Sequence, residues 1–382
     1  MLLPKDEEMK GRILYCASTV SHIVNFHLPY LEYFKEQGWQ VDVAVGGTAA
    51  PIPYADQVIE LPLEKSLVAV GNLQAVRSVQ RLLVENSYDL ISTHTALAGA
   101  VTRLAVKLAG KQYRGKVVHT SHGYFFNGRG SLAEVVYLEA EKYLSSVTDM
   151  LMVMNEVDHQ LAIQYQLGKR IECIPGMGID LSKFSVGGPG EKETLKRDAG
   201  YQVTDFLIVY AAEMSKRKNQ GELLRAFAMA SSQEPSMRLI LAGDGALKAE
   251  YQELARGLRI EEKVCFPGHV RDMASLYKMC DLVVTTSQCE GLPFNVMEAM
   301  ACGLPVVASK IKGHTDLLGE QSDCLYPLGD EKALGKRLMR FFYNPDLCEQ
   351  VRERNSYKVL RYSLGVVKPM VATVYEGRHR AQ

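Results

Sequence analysis

Two spacings of apolar residues run through the chain. One is a short, nearly continuous apolar run, first seen at Arg12–Ala17 (RILYCA). The other returns to an apolar residue every third or fourth position, as in Phe26–Gln37, which stops at Gly38. Between them lies a polar stretch, Ser18–Asn25, expected to be loop. Further short runs follow at Val41–Val45, Leu90–His94, Val117–Gly123, Met150–Met154 and Ile171–Ile174. A second series follows at Phe206–Tyr210, Arg238–Leu241, Val264–Phe266, Leu282–Val284, Pro305–Ala308 and Leu325–Pro327. Short β-rich runs of this kind suit strands buried on both faces of a parallel sheet. Helical stretches between them predict an α/β protein with doubly wound sheets.

At 382 residues the chain exceeds one typical core, so two domains are expected. The stretch Leu181–Glu191 is rich in Gly and Ser with one Pro, which puts the boundary near Phe184. The expected division is 1–184, 185–360 and a tail, 361–382. In that tail Ser363–Tyr375 reads as a last helix, kinked at Pro369.

One stretch, Asp281–Ser309 (DLVVTTSQCEGLPFNVMEAMACGLPVVAS), concentrates the candidate chemistry. It reads as strand, loop, helix, turn, strand. Pro293 suits the first turn of a helix, Phe294–Cys302 continues it, and Gly303 ends it. Glu290 falls in the loop before the helix and Glu298 inside it. A helix N-terminus favours phosphate, and flanking carboxylates can accept hydrogen bonds from hydroxyls. A diphosphate with hydroxyls on both sides describes a sugar nucleotide. Taken alone, the pair reads first as a solvated loop acid and a salt-bridged helix acid; the surrounding pattern reverses that.

EGLPFNVMEAMACGLPVVAS resembles the signature of the retaining glycosyltransferases of family 4, which have the GT-B fold: Glu, seven residues, Glu, then Ala-Met-Ala-x-Gly-x-Pro-Val-Val-Ala. The likeness extends over most of the chain, most clearly from Phe206 to Pro327, and is closest to the capsule and exopolysaccharide branch. It implies two Rossmann-like domains facing a central cleft, with the acceptor on the first domain and the donor on the second. It also implies a last helix that crosses back to the first domain. The acid matching Glu290 would contact hydroxyls of the donor sugar, and the one matching Glu298 would hold the ribose. Gly291, Leu292, Phe294 and Asn295 belong to the same donor-side segment. Lys218 matches a cation that binds the donor diphosphate. Glu213 stands where the family usually has Arg, which removes a bidentate phosphate donor; Arg217 is the candidate replacement, and a surface charge is the alternative. The glycine turn at Gly243 would let backbone approach the donor, though Gly-Asp-Gly is also simply a good turn. The segment near Val270 would pack on the base. The IKGHTD run, Ile311–Asp316, resembles a turn bordering the donor.

Sites on the first half are fewer. Ser18 and His22 follow the first strand, where ligands of such sheets bind, and are acceptor-side candidates; a capping role reads equally well. The HGYFF segment resembles the family's histidine-glycine segment, which places His122 in the active site, with His119 a weaker candidate. Arg103, Lys107 and Lys111 recur at a spacing of four. They read either as a solvated helix face or as a contact for anionic headgroups or a lipid-linked acceptor.

Composition narrows the classes. Net charge is +0, which gives no case for nucleic acid. No apolar run approaches the roughly 20 residues that span a bilayer. MLLPKDEEMK has no apolar core of a signal peptide. The 8 Cys lack a C-x-x-C pair, as expected of reduced thiols. No G-x-G-x-x-G follows the first strand, which argues against a dinucleotide. No Asp-x-Asp metal motif is evident, so no metal and no cofactor beyond the donor is expected. The reading is a retaining, metal-independent transferase that moves a sugar from a nucleotide diphosphate, UDP-linked by branch, to a saccharide or lipid-linked acceptor. It would be cytoplasmic, with peripheral contact at the inner face of the membrane. A nucleotide-sugar epimerase of the same fold and a non-catalytic partner subunit are the other readings.

Overall fold

The computed structural model describes residues 9–64, 69–126 and 130–377. These divide into two compact units. The first holds the described residues through Gly178 and those from Val367 onward; the second is Ile179–Val366.

The first unit is a parallel sheet of seven strands in the order β3-β2-β1-β4-β5-β6-β7. The strands are β1 (Gly11–Ala17), β2 (Trp39–Gly46), β3 (Gln57–Leu61), β4 (Leu90–His94), β5 (Lys116–Ser121), β6 (Met150–Val153) and β7 (Ile171–Cys173). Ile13 to Ala17 of β1 are fully buried, as a central strand covered on both faces requires. Helices Val70–Glu85 and Ala96–Ala109 cover one face, packing Ala75, Val79 and Ala105 on Leu14 and Ile91. The final helix, Leu364–Tyr375, contains Pro369 and brings Tyr375 to this sheet, where its hydroxyl lies 2.7 Å from Ser92 Oγ.

The second unit repeats the plan with six parallel strands in the order β10-β9-β8-β11-β12-β13. They are β8 (Phe206–Ala211), β9 (Met237–Ala242), β10 (Val264–Gly268), β11 (Leu282–Thr285), β12 (Val306–Ser309) and β13 (Leu325–Tyr326). The helix Phe294–Ala301 starts after Pro293 and is closed by Gly303, whose φ of +74° suits glycine.

Three expectations are corrected. The polar stretch after β1 is not loop: Val20–Phe26 is helical, because Thr19 caps it by accepting from the His22 amide at 3.2 Å. The expected helix Phe26–Gln37 therefore begins at Leu28, after a break at His27. Ile311–Asp316 is likewise not a turn but the start of helix Lys312–Leu318.

The third concerns the basic face. Arg103 is fully buried on Ala96–Ala109, and its guanidinium grips both carboxylate oxygens of Glu141 at 2.9 Å. It is a structural ion pair and has no surface to offer a membrane. Lys107 donates to Tyr143 O and Ser146 Oγ and sits 3.8 Å over the Tyr143 ring. Lys111 is exposed in the short turn after the helix.

Candidate active site

In doubly wound sheets ligands bind beyond the carboxyl ends of the strands, where the strand order reverses. The reversal falls between β1 and β4 in the first unit and between β8 and β11 in the second.

In the first unit, the segments after β1 and β5 supply Ser18 and His22, and His122, while β4 ends on His94 and is followed by Thr95. Ser18 Oγ lies 2.5 Å from Thr95 Oγ1. Thr95 holds φ +67°, costly for a β-branched residue and characteristic of a site where geometry is imposed. His22 Nε2 lies 3.3 Å from His122 Nε2 and 3.2 Å from His27 Nε2. His27 Nδ1 meets the Tyr15 hydroxyl at 3.0 Å, and the His27 and His94 rings lie 4.0 Å apart. The ring of His94 stacks on Tyr15, its Nε2 meets Ser92 Oγ at 2.9 Å, and its buried Nδ1 has no hydrogen-bond partner. Burial pushes every one of these imidazoles down, His22 to about 4 and His27, His94 and His122 well below their usual value. This site therefore offers neutral hydrogen-bonding nitrogens, suited to hydroxyl groups. His119 lies apart from that group, buried on Thr93 Oγ1 at 2.8 Å.

In the second unit, the turn after β8 carries Arg217 and Lys218, and the loop after β11 carries Glu290. The two loops are tied together: the Tyr210 hydroxyl donates to Lys218 O at 2.9 Å and lies 2.8 Å from Ser287 Oγ. Thr286 donates to the carbonyls of Lys218 and Asn219. Glu290 is nearly buried and bridges two cations, Lys218 at Oε1 and Arg217 at Oε2, the latter at 3.1 Å. Burial alone would push its carboxyl up; Lys218 and Arg217 outweigh that and hold it below the usual carboxylate range. Two cations on one anion leave a net positive charge at the strand ends, beside a helix whose cap, Pro293, supplies no side-chain acceptor. Asn295 is anchored by donating to Ala211 O at 3.0 Å. Gly291 and Leu292 are buried in the loop, and Gly313 presses on the backbone of Glu290 and Gly291: a Cβ there would sit 2.6 Å from Gly291 O and 2.8 Å from Glu290 O. Behind the loop, His314 is buried on Ser309, its Nδ1 2.8 Å from Ser309 O.

Glu298 is in a different state. Burial pushes it up to about 7, opposed by Lys183 and by a long contact from the Tyr277 hydroxyl. Gly243 holds φ +133°, and a Cβ there would lie 2.1 Å from Ala212 O, so its close approach is to its own chain's backbone. Glu213 is exposed, and its carbonyl accepts from Gln220 at 2.9 Å. Val270 is half-buried just past β10. The described residues contain no helix long and apolar enough to cross a membrane.

His27, His94, Tyr15 and Thr95 were not among the expected site residues. For Tyr15, His94 and Thr95 the signal was present in the sequence as polar residues at or beside the carboxyl ends of strands.

Residues 191–358 match the glycosyl transferases group 1, and residues 30–183 match glycosyltransferase family 4. Over 370 residues the chain is 34% identical to a protein named glycosyltransferase EpsD from Bacillus subtilis, covering 96% of this chain and 97% of that one. The chain belongs to the family 4 glycosyltransferases. It is also 25% identical to the UDP-Gal:alpha-D-GlcNAc-diphosphoundecaprenol alpha-1,3-galactosyltransferase of Escherichia coli, over 68% of this chain and 67% of the other. Among solved structures, Anabaena HepE in complex with UDP and glucose aligns with a TM-score of 0.76 at 20% identity, over 96% of this chain and 100% of its own. The family 4 enzyme described here thus has the GT-B fold, and it is a glycosyltransferase.

Proposed function

We propose that this glycosyltransferase is retaining and metal-independent, and that it moves a sugar from a UDP-linked donor to a lipid diphosphate-linked saccharide during surface polysaccharide assembly. The second unit would hold the donor and the first the acceptor. One observation carries the reading: Glu290 is kept ionised between Lys218 and Arg217 across a strand-order reversal, beside a helix N-terminus. On donor binding these cations and the helix amides would meet the diphosphate, taking the place of a metal as its charge grows on departure. Glu290 would then face the sugar hydroxyls, Glu298 the ribose, and Asn295, Gly291, Leu292, Phe294, Gly243 and Val270 would shape the remainder of the donor pocket. His122, neutral, would sit at the sugar, with His22 and Ser18 toward the acceptor hydroxyl. The names of the relatives support the substrate classes: the E. coli enzyme is named for UDP-Gal and a diphosphoundecaprenol acceptor. A lipid-linked acceptor implies work at the inner face of the cell membrane. Lys111, with Lys107 and the exposed Leu108, is then the contact that survives the burial of Arg103.

Thermal stabilisation tests this, since a ligand of the folded state raises the melting temperature. UDP is expected to raise it where GDP, ADP and dTDP do not, and Glu298→Ala is expected to abolish the shift. A shift with another base alone would replace UDP. No shift with any of them would contradict the donor site.

A further inference from the structure

His27 has no part in the transfer step above, yet its buried ring completes a cluster. Its Nε2 is 3.2 Å from that of His22, which is 3.3 Å from that of His122. All three candidate ligand atoms fall within 4.8 Å of one another. A tetrahedral zinc with Zn–N bonds of about 2.0–2.1 Å sets its nitrogen ligands roughly 3.3–3.4 Å apart. Two edges of such a site are already at that length. Hydrogen bonding explains the contacts less completely: His22 Nε2 offers either one proton or one lone pair, and it faces two partners. The surrounding contacts also suit a ligand set. The Tyr15 hydroxyl, 3.0 Å from His27 Nδ1, can accept its N–H and leave the Nε2 lone pair facing inward. His22 and His122 are partly exposed, which gives an entry path and leaves room for a fourth ligand.

We propose that His22, His27 and His122 form a three-imidazole site for a divalent transition cation of the zinc class, and that its occupation silences transfer by engaging the lone pair of His122. The binding half stands independently of the proposed function; the silencing half rests on the placement of His122 at the reacting sugar.

Cobalt(II) is the direct probe. Titrated into the metal-free enzyme near neutral pH, it is expected to bind as a single equivalent with the intense visible bands of tetrahedral cobalt, and zinc should displace it. His22→Ala and His27→Gln should weaken binding about tenfold or more, the loss typical of a disturbed ligand set. Circular dichroism checks that each variant folds, and the half-exposed His22 keeps the test valid where the buried His27 variant does not. A weak octahedral spectrum, or unchanged cobalt affinity in His22→Ala, overturns the site. In a parallel transfer assay, zinc inhibition reversed by a chelator and absent in folded His27→Gln supports silencing. Tight cobalt binding with unchanged transfer overturns silencing alone. Absence of transfer from any nucleotide sugar would count against the proposed function and leave the cobalt result standing.

Discussion

In the first unit the chain sets His94 at the end of β4 and His22 and His122 beyond β1 and β5, and burial keeps each imidazole neutral. In the second it sets Lys218 and Glu290 beyond β8 and β11, where pairing opposes burial and keeps the Glu290 carboxyl ionised. The backbone plan is the same, with a strand-order reversal at each place. The difference shows two answers to one problem: a titratable group taken from water either gives up its charge or finds an opposite one. Neutral nitrogens suit hydroxyl groups, and a charge-dense pair suits a diphosphate. On the proposed function, the division of labour between acceptor and donor would be expressed in side-chain ionisation and not in topology.

The comparison can be broken most forcefully where the first unit buries a paired charge, at Arg103 and Glu141. Arg103→Ala should destabilise the protein by about 3–5 kcal/mol, because Glu141 is left as an unpaired buried anion. Transfer per folded molecule should be unchanged. Urea denaturation and an activity assay check both; a mild loss would mean Glu141 finds water. Next in size is Lys218→Ala, expected to lower turnover about 100-fold, the usual worth of one charge-stabilising donor. Turnover within about twofold of the unmodified enzyme would remove Lys218 from the reaction.

The two acids should separate in their pH response. Glu290 has a lowered folded-state pKa, so its contribution to stability is present above the unfolded value and disappears as pH falls through the folded one. Glu298, raised to about 7, runs the other way: its contribution is full below the unfolded value and is lost as pH rises through about 7. Glu298→Gln should therefore flatten the fall in melting temperature between mildly acidic and mildly basic buffer. An unchanged slope would show that Glu298 ionises normally. The smallest effect concerns Thr95. Thr95→Gly and Thr95→Ala both lose the contact with Ser18, but only glycine relieves the positive φ, so the glycine variant should be the more stable by about 1 kcal/mol. Equal stabilities would show that the backbone relaxes in the alanine variant.

Most of the sheet framework was legible because buried parallel strands write continuous apolar runs: β1, β4, β6, β8, β9, β11 and β12 all lie where such runs predict them. β3 was not legible. Its pattern, QVIEL, lacks a long apolar run because it is an edge strand with polar Gln57 and Glu60 exposed. The spacing of Arg103, Lys107 and Lys111 fixes a shared helix face but not whether that face meets solvent. The partner that decides it, Glu141, lies 38 positions from Arg103. His27 was hidden because a helical pattern runs straight through it, while the Thr19 cap and Pro29 in the next first turn break the helix there. The loop of Glu290 was legible through its family signature, but its clamp between Lys218 and Arg217 depends on residues 72 and 73 positions away.

The central claim is that the nucleotide binds the charged reversal of the second unit and not the imidazole-lined one of the first. Calorimetric titration of UDP into the unmodified enzyme, Lys218→Ala and His22→Ala tests it directly. The account predicts affinity at least about tenfold weaker in Lys218→Ala, consistent with losing a charged hydrogen bond to phosphate of about 1.5–3 kcal/mol, and affinity within about twofold in His22→Ala. Loss in His22→Ala with Lys218→Ala unaffected would contradict it.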